Sequence, residues 1–273
     1  MAAMAHLLHL WGPITSPINF CYFSEEAEEC QVRTWCLSLN FWRNGFIILE
    51  KALKMCAGIR VVSLPCLLML MFAASVFAAS SDVLVIDDFN EGLSPNWKSK
   101  KFKGVTQYSI ADLDGESVLM AFSSGAASAL IYKKEYSLRD YPVLSWRWRV
   151  DNILPKGDAR TKDGDDYSAR IYVIFPHWIF PLTRSINYIW ANKLPKGEYL
   201  SSSYTGNSVL VAVQSGPENI GHWITERRNV RDDYLRIFGE EPRAVGAIAI
   251  MTDADNTEDE ARAWYDDIRI EKE

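Results

Sequence analysis

Apolar and polar residues alternate with a period of two along 144–150. Leu144, Trp146, Trp148 and Val150 fall on one side, and Ser145, Arg147 and Arg149 on the other. Such alternation marks a half-buried β-strand. The stretch 169–175 repeats it, with Ala169, Ile171, Val173 and Phe175 facing one way and Arg170 and Tyr172 the other. Pairing of these two strands would gather three guanidiniums on one sheet face, where they require carboxylates or an anionic ligand as counter-charge. Further short strands are expected at 83–86, 107–111, 117–122, 129–132, 208–214, 244–252 and 263–270. Asp114 and Gly115 supply a hairpin turn between 107–111 and 117–122. The basic run 98–103 reads as a strand edge or solvated loop. Residues 232–238 form the one clear helix, with Asp232 near its start and Gly239 ending it. The aromatic stretch 176–190, broken by Pro176 and Pro181, reads as neither a good strand nor a long helix. Such a segment packs on the core or caps a ligand site. Many short strands, frequent turn signals and little helix specify an all-β fold, a single β-sandwich of jelly-roll kind with one short helix.

The cysteines divide the chain. All five (Cys21, Cys30, Cys36, Cys56, Cys66) precede residue 67, so the remainder relies on neither disulfides nor thiol chemistry. Residues 1–54 show no sustained periodicity and read as a misassigned, unstructured upstream extension, a genuine N-terminal extension being the alternative. Met55 to Arg60, the apolar run 61–79 and its small-residue end have the form of a signal peptide over 55–78. Val76 and Ala78 then occupy the −3 and −1 positions. A retained membrane anchor is the alternative, because roughly 20 apolar residues span a bilayer. Pro65 and the small-residue end favour cleavage near Ala78. The expected product is one periplasmic or secreted domain over 79–273, touching the membrane only through the signal peptide. A net charge of −6 spread along 273 residues argues against nucleic acid as a partner. Nothing in the sequence sets the oligomeric state.

A set of strings in fixed order carries a resemblance: 144–150, Asp165-Asp166-Tyr167-Ser168-Ala169-Arg170-Ile171-Tyr172-Val173, Asn187 to Asn192, Glu226-Arg227-Arg228-Asn229-Val230, Asp233-Tyr234, Phe238-Gly239, Met251 to Thr257, and Trp264 to Ile268. The order resembles the bacterial family known as domain of unknown function 3047, over essentially all of 84–270, and implies a secreted or periplasmic setting. The two ends, with Asp87-Asp88-Phe89-Asn90-Glu91-Gly92 at the start and Tyr265-Asp266-Asp267-Ile268 at the close, resemble carbohydrate-binding, galactose-binding-like jelly rolls. That resemblance implies a structural calcium where the first and last strands meet, held by Asp87, Asp88 or Glu91 with Asp266 or Asp267. Solvent-facing acids at strand ends are the alternative. No other cofactor is required. Residues 253–256 open like an EF-hand loop, but the sixth position lacks glycine and Trp264 stands at the twelfth, so that motif is excluded.

Triad chemistry finds little support: beyond residue 79 there are only His177 and His222, no cysteine, and no Gly-x-Ser-x-Gly elbow. The residues set out for recognition are Arg147, Arg149, Arg170 and Tyr172 on strand faces, with Asp166, Glu226, Asp253, Asp255 and Asn256 in or near adjoining loops. Arginine, acid and amide groups beside aromatic rings suit a hydroxylated or anionic ligand. A non-catalytic envelope module binding a carbohydrate or similar ligand is the leading reading. A hydrolase of an envelope polysaccharide is the first alternative, through a carboxylate pair among Asp165, Asp166, Glu226, Asp253 and Asp255. A structural envelope protein whose ion pairs bind nothing is the second.

Overall fold

The computed structural model describes residues 81–273. The expected upstream extension 1–54, the signal peptide 55–78 and every cysteine lie outside the described residues. In chain order the elements are β1 (Val83–Asp87), β2 (Trp97–Lys103), β3 (Gln107–Leu113), β4 (Glu116–Ser124), β5 (Ala127–Tyr136), β6 (Val143–Val150) and β7 (Arg170–Phe175). They continue with β8 (Arg184–Ala191), β9 (Tyr199–Ser202), β10 (Thr205–Ser215), β11 (Ile224–Asn229), α1 (Val230–Phe238), β12 (Val245–Asp253) and β13 (Glu260–Glu271). One sheet runs β11-β6-β13-β4-β3, with β1 also on β13; the other runs β2-β5-β12-β7-β8-β10-β9. The fold is therefore the β-sandwich with one short helix that the strand pattern specifies.

Alternation sorted the side chains of β6 and β7 correctly but not their partners. β6 lies between β11 and β13, whereas β7 lies between β12 and β8 in the other sheet. Trp146 and Trp148 project inward against Tyr188 and Trp190 of β8, with ring centroids 5.4 and 6.0 Å apart respectively. All four rings are buried in the main core. Burying such a side chain contributes about 1.5–3 kcal/mol, and each well-placed ring pair about 0.5–1.5 more. Because each strand turns its apolar residues inward, Arg147 and Arg149 stand on the outer face of one sheet and Arg170 on the outer face of the other. The expected gathering of three guanidiniums does not occur.

Local chemistry explains the other departures. Arg184–Ala191, read as irregular from its prolines, is a strand because Pro176 and Pro181 both precede it and leave its ladder intact. The helix opens at Val230, two residues before the expected start at 232, because Asn229 is the cap: its side chain accepts from the Asp232 N–H at 3.0 Å. Gly239, at φ 70°, closes it by donating its N–H to the Leu235 carbonyl. Asp114 and Gly115, at φ 59° and 86°, form the β3–β4 turn as expected. In β13 a bulge at Asp266 and Asp267 shifts the register, so Tyr265 and Ile268, rather than residues two apart, both face the core.

The two sheets are tied by polar bonds as well as by packing. From β13, the Tyr265 hydroxyl crosses the core, donates to the Met251 carbonyl at 2.9 Å and accepts from the Arg170 N–H at 3.2 Å. Replacing Tyr265 by Phe preserves the ring but strands these groups in the interior. Tyr265→Phe is expected to lower stability by about 1–3 kcal/mol in urea denaturation, with the far-ultraviolet circular dichroism spectrum unchanged.

Candidate ligand-binding site

A cleft of about 130 Å³ opens at one end of the seven-stranded sheet, among Phe175, His177, Leu182, Arg184, Tyr234 and the Asn207, Glu240 and Arg243 side chains. Its floor is aromatic: Tyr234 of α1 meets Phe175 edge-on at 4.6 Å and Phe238 at 4.6 Å. Asp233 fixes the helix over this floor, accepting from Tyr188 Oη at 2.9 Å, from Arg228 Nη2 at 2.6 Å and from Arg236 Nη2 at 2.9 Å. Arg184, opening β8, donates to Tyr234 Oη at 3.0 Å and to Glu240 Oε1 at 2.6 Å. Its guanidinium lies 4.6 Å over the Phe238 ring. Such a group is already oriented and keeps further N–H donors for a ligand. Arg243 is exposed and has no ion-pair or hydrogen-bond partner among the described residues.

The loop between β7 and β8 forms one wall. The His177 N–H donates to Thr183 Oγ1 at 3.2 Å, and His177 Nδ1 accepts the Ile179 N–H at 2.9 Å. Trp178 then stands 77% exposed, stacked on His177 at 5.9 Å and 25°. An indole this exposed gains little for folding, since its apolar surface remains in water. These residues were not among those set out from the sequence. The only local signal was the aromatic, proline-broken stretch 176–190, whose partners Asn207, Glu240 and Arg243 come from distant segments.

The residues set out for recognition fall into separate places. Arg147 pairs with Asp266, with Glu116 and, at 3.3 Å, with Asp267, and lies 4.9 Å over Trp223. Arg149 lies 5.0 Å over Trp264, with Asp151 at 3.7 Å. Glu226 is buried at another edge, accepting from Gln214 Nε2 at 2.6 Å, and burial raises its pKa. Burial comes first among the causes; the Gln214 bond works against it. At the N-terminal end of the domain, β1 does pair with β13. Asp87, however, accepts from the Phe89 N–H and the Trp97 indole, while Asp267 pairs with Arg269 as well as Arg147. Asp88 accepts from the Asn90 N–H at 3.3 Å, and Glu91 is exposed.

The remaining members meet at the start of β7 and the end of β12. Arg170, 1% exposed, donates from Nη2 to Asp253 and approaches Asp165 Oδ1 at 3.7 Å. Asp166, Asp255 and Asn256 surround the pair, and Tyr172 lies under the Arg170 guanidinium at 5.6 Å. Burial pushes Asp165 up to about 6 against the pull of Arg170, and raises Asp253 and Asp166 also. The loop 151–169 reaches the cluster through two close approaches. A Cβ on Gly164 would stand 2.5 Å from the Asp158 nitrogen, and one on Gly157 2.1 Å from Asn192 Nδ2. Asn192 is itself committed, donating to the Asp166 carbonyl at 2.7 Å and accepting from Leu154 N–H at 2.8 Å.

The family model described as Protein of unknown function (DUF3047) matches residues 95–269, and the chain belongs to that family. No curated protein matches the chain. Similar solved structures include the family 30 carbohydrate-binding module of cellulosomal cellulase CEL9D-CEL44B of Clostridium thermocellum, at 12% identity, covering 70% of this chain and 98% of that one, TM-score 0.42. A non-crystalline cellulose specific carbohydrate-binding module, CBM28, is similar at 16% identity, 71% and 97% coverage and TM-score 0.37. TmCBM61 in complex with beta-1,4-galactotriose is similar at 13% identity, 71% and 100% coverage and TM-score 0.35.

Arg147 is stacked, paired with three carboxylates and largely enclosed, which is the geometry of a scaffold. Arg147→Ala leaves Asp266 without its counter-charge and is expected to lower stability by about 2–3 kcal/mol in urea denaturation. Arg149→Ala, whose nearest carboxylate is 3.7 Å away, is expected to cost less than half as much.

Proposed function

We propose that this member of the family is a non-catalytic binding module for a carbohydrate, exported by the 55–78 segment and acting in the periplasm or outside the cell. The observation that carries the reading is the exposed Trp178 indole beside a cleft whose rim holds the Arg243 guanidinium, which has no partner among the described residues. A sugar ring presents an apolar C–H face and a polar edge of hydroxyls. The indole offers a flat apolar surface to the first. Arg184, Asn207, Glu240 and Arg243 offer donors and acceptors to the second. Asn207 is held by donating to the Pro181 carbonyl at 2.7 Å, which leaves its oxygen for a ligand.

Binding is favoured over hydrolysis by the state of the acids. Asp165, Asp166, Glu226, Asp253 and Asp255 are each no more than 9% exposed, and a glycosidase must bring two carboxylates to opposite sides of a polymer's bond. Export is read from the form of the 55–78 segment. Among the described residues no helix is long and apolar enough to cross a membrane.

Presented to a glycan array, the purified protein is expected to retain a defined set of glycans. Trp178→Ala and Arg243→Ala should each weaken that binding about tenfold or more in isothermal titration calorimetry, the size of one good contact. Both side chains are exposed, so stability should stay within about 0.5 kcal/mol of the parent. Retention of no glycan, or binding that survives both substitutions, would overturn the reading.

A further inference from the structure

We infer that Asp166, Asp253 and Asp255 hold a divalent cation of the hard, oxygen-preferring class, calcium being the representative, where the loop 151–169 meets the end of β12. This is independent of the glycan cleft, which lies among other residues.

Each of the three aspartates presents an oxygen within 4.8 Å of the other two, and all three are buried. Calcium–oxygen bonds run about 2.3–2.6 Å, so oxygens sharing one ion stand no more than roughly 5 Å apart. The donors are all carboxylates, with no histidine or cysteine among them, which selects a hard cation over zinc or copper.

The hydrogen bonding points to the same place. Asp166 Oδ2 accepts from the Asn256 N–H at 2.9 Å, the Thr257 N–H at 2.6 Å and the Thr257 hydroxyl at 2.8 Å. That carboxylate is locked by one oxygen, while Oδ1 is buried and has no donor. Asp255, 7% exposed, likewise keeps a buried Oδ1 without a donor. Free carboxylate oxygens in an interior are rare because the anion has lost water and gained nothing in return.

Charge is the third observation. Asp165, Asp166, Asp253 and Asp255 are answered inside the cluster by one guanidinium, Arg170, which engages Asp253 directly. The nearby Lys103 and Lys156 ammoniums donate to the carbonyls of Asp255 and Thr257 rather than to carboxylates. A divalent cation among Asp166, Asp253 and Asp255 offsets the excess negative charge and satisfies the free oxygens of Asp166 and Asp255. Waters and main-chain carbonyls would complete its shell.

Asp255 is the residue to change, because among the described residues its carboxylate makes no hydrogen bond that Asn would break. Protein stripped with EDTA is melted with and without millimolar CaCl₂, and with MgCl₂ as a second probe. Calcium is expected to raise the melting temperature by about 5 °C or more, with one ion per chain in calorimetry. Asp255→Asn should lose that shift while melting in EDTA no lower than the parent. Asp267→Asn, at the junction of the first and last strands, should keep it. No shift with either cation would overturn the inference. So would a full shift in Asp255→Asn, or loss of the shift in Asp267→Asn, which would place the ion at the domain's termini.

Discussion

The Arg170 guanidinium, 1% exposed at the first position of β7, is the constraint to which one end of the domain conforms. A buried charge must be met within a few ångströms or it destabilises the fold. Asp253, the last residue of β12 and in the strand beside β7, meets it directly. The Tyr265 hydroxyl takes the Arg170 N–H from the opposite sheet, so the backbone under the ion pair is pinned from across the core. The loop 151–169 then folds onto the pair, and Gly157 and Gly164 permit its close approaches.

Period-two alternation reported faces faithfully, since inward and outward sides depend only on local pleat. It could not report pairing. Trp146 with Arg147 and Ile171 with Arg170 carry the same pattern whether or not β6 and β7 are neighbours, and the 19 residues between them allow a crossing to the other sheet. The bulge at Asp267, with φ 50°, left a similarly weak trace: an acidic pair reads as a turn or as a strand with equal ease. The helix boundary was closer to legible: its end at Phe238 and Gly239 is as expected, while its start lies at Val230, two residues before Asp232, because Asn229 provides the cap.

The acidic cluster was partly visible because its members sit in two compact segments, 165–170 leading into one clear strand and 253–257 leaving another. The cleft was not. Its residues come from β7, the β7–β8 loop, β8, β10, α1 and the stretch after the helix, so no single window of sequence contains more than a fraction of it. Exposure supplied the information that composition could not: Trp146 and Trp178 are the same residue type, one closed within the sandwich and one in solvent.

Arginine shows the same separation between architecture and recognition. Arg147 is enclosed by three carboxylates and an indole, with its Nε and Nη2 donors committed to Asp266 and Glu116. Arg184 is partly committed: the Glu240 and Tyr234 bonds aim its guanidinium, and the Phe238 ring supports it. Arg243 stands on the same cleft with none of these restraints. On the proposed binding surface, a fixed guanidinium beside a free one would divide the work, the first presenting donors at little entropic cost and the second closing on the ligand. Arg147 is fixed but does not line that cleft, although the sequence made it the more conspicuous of the three.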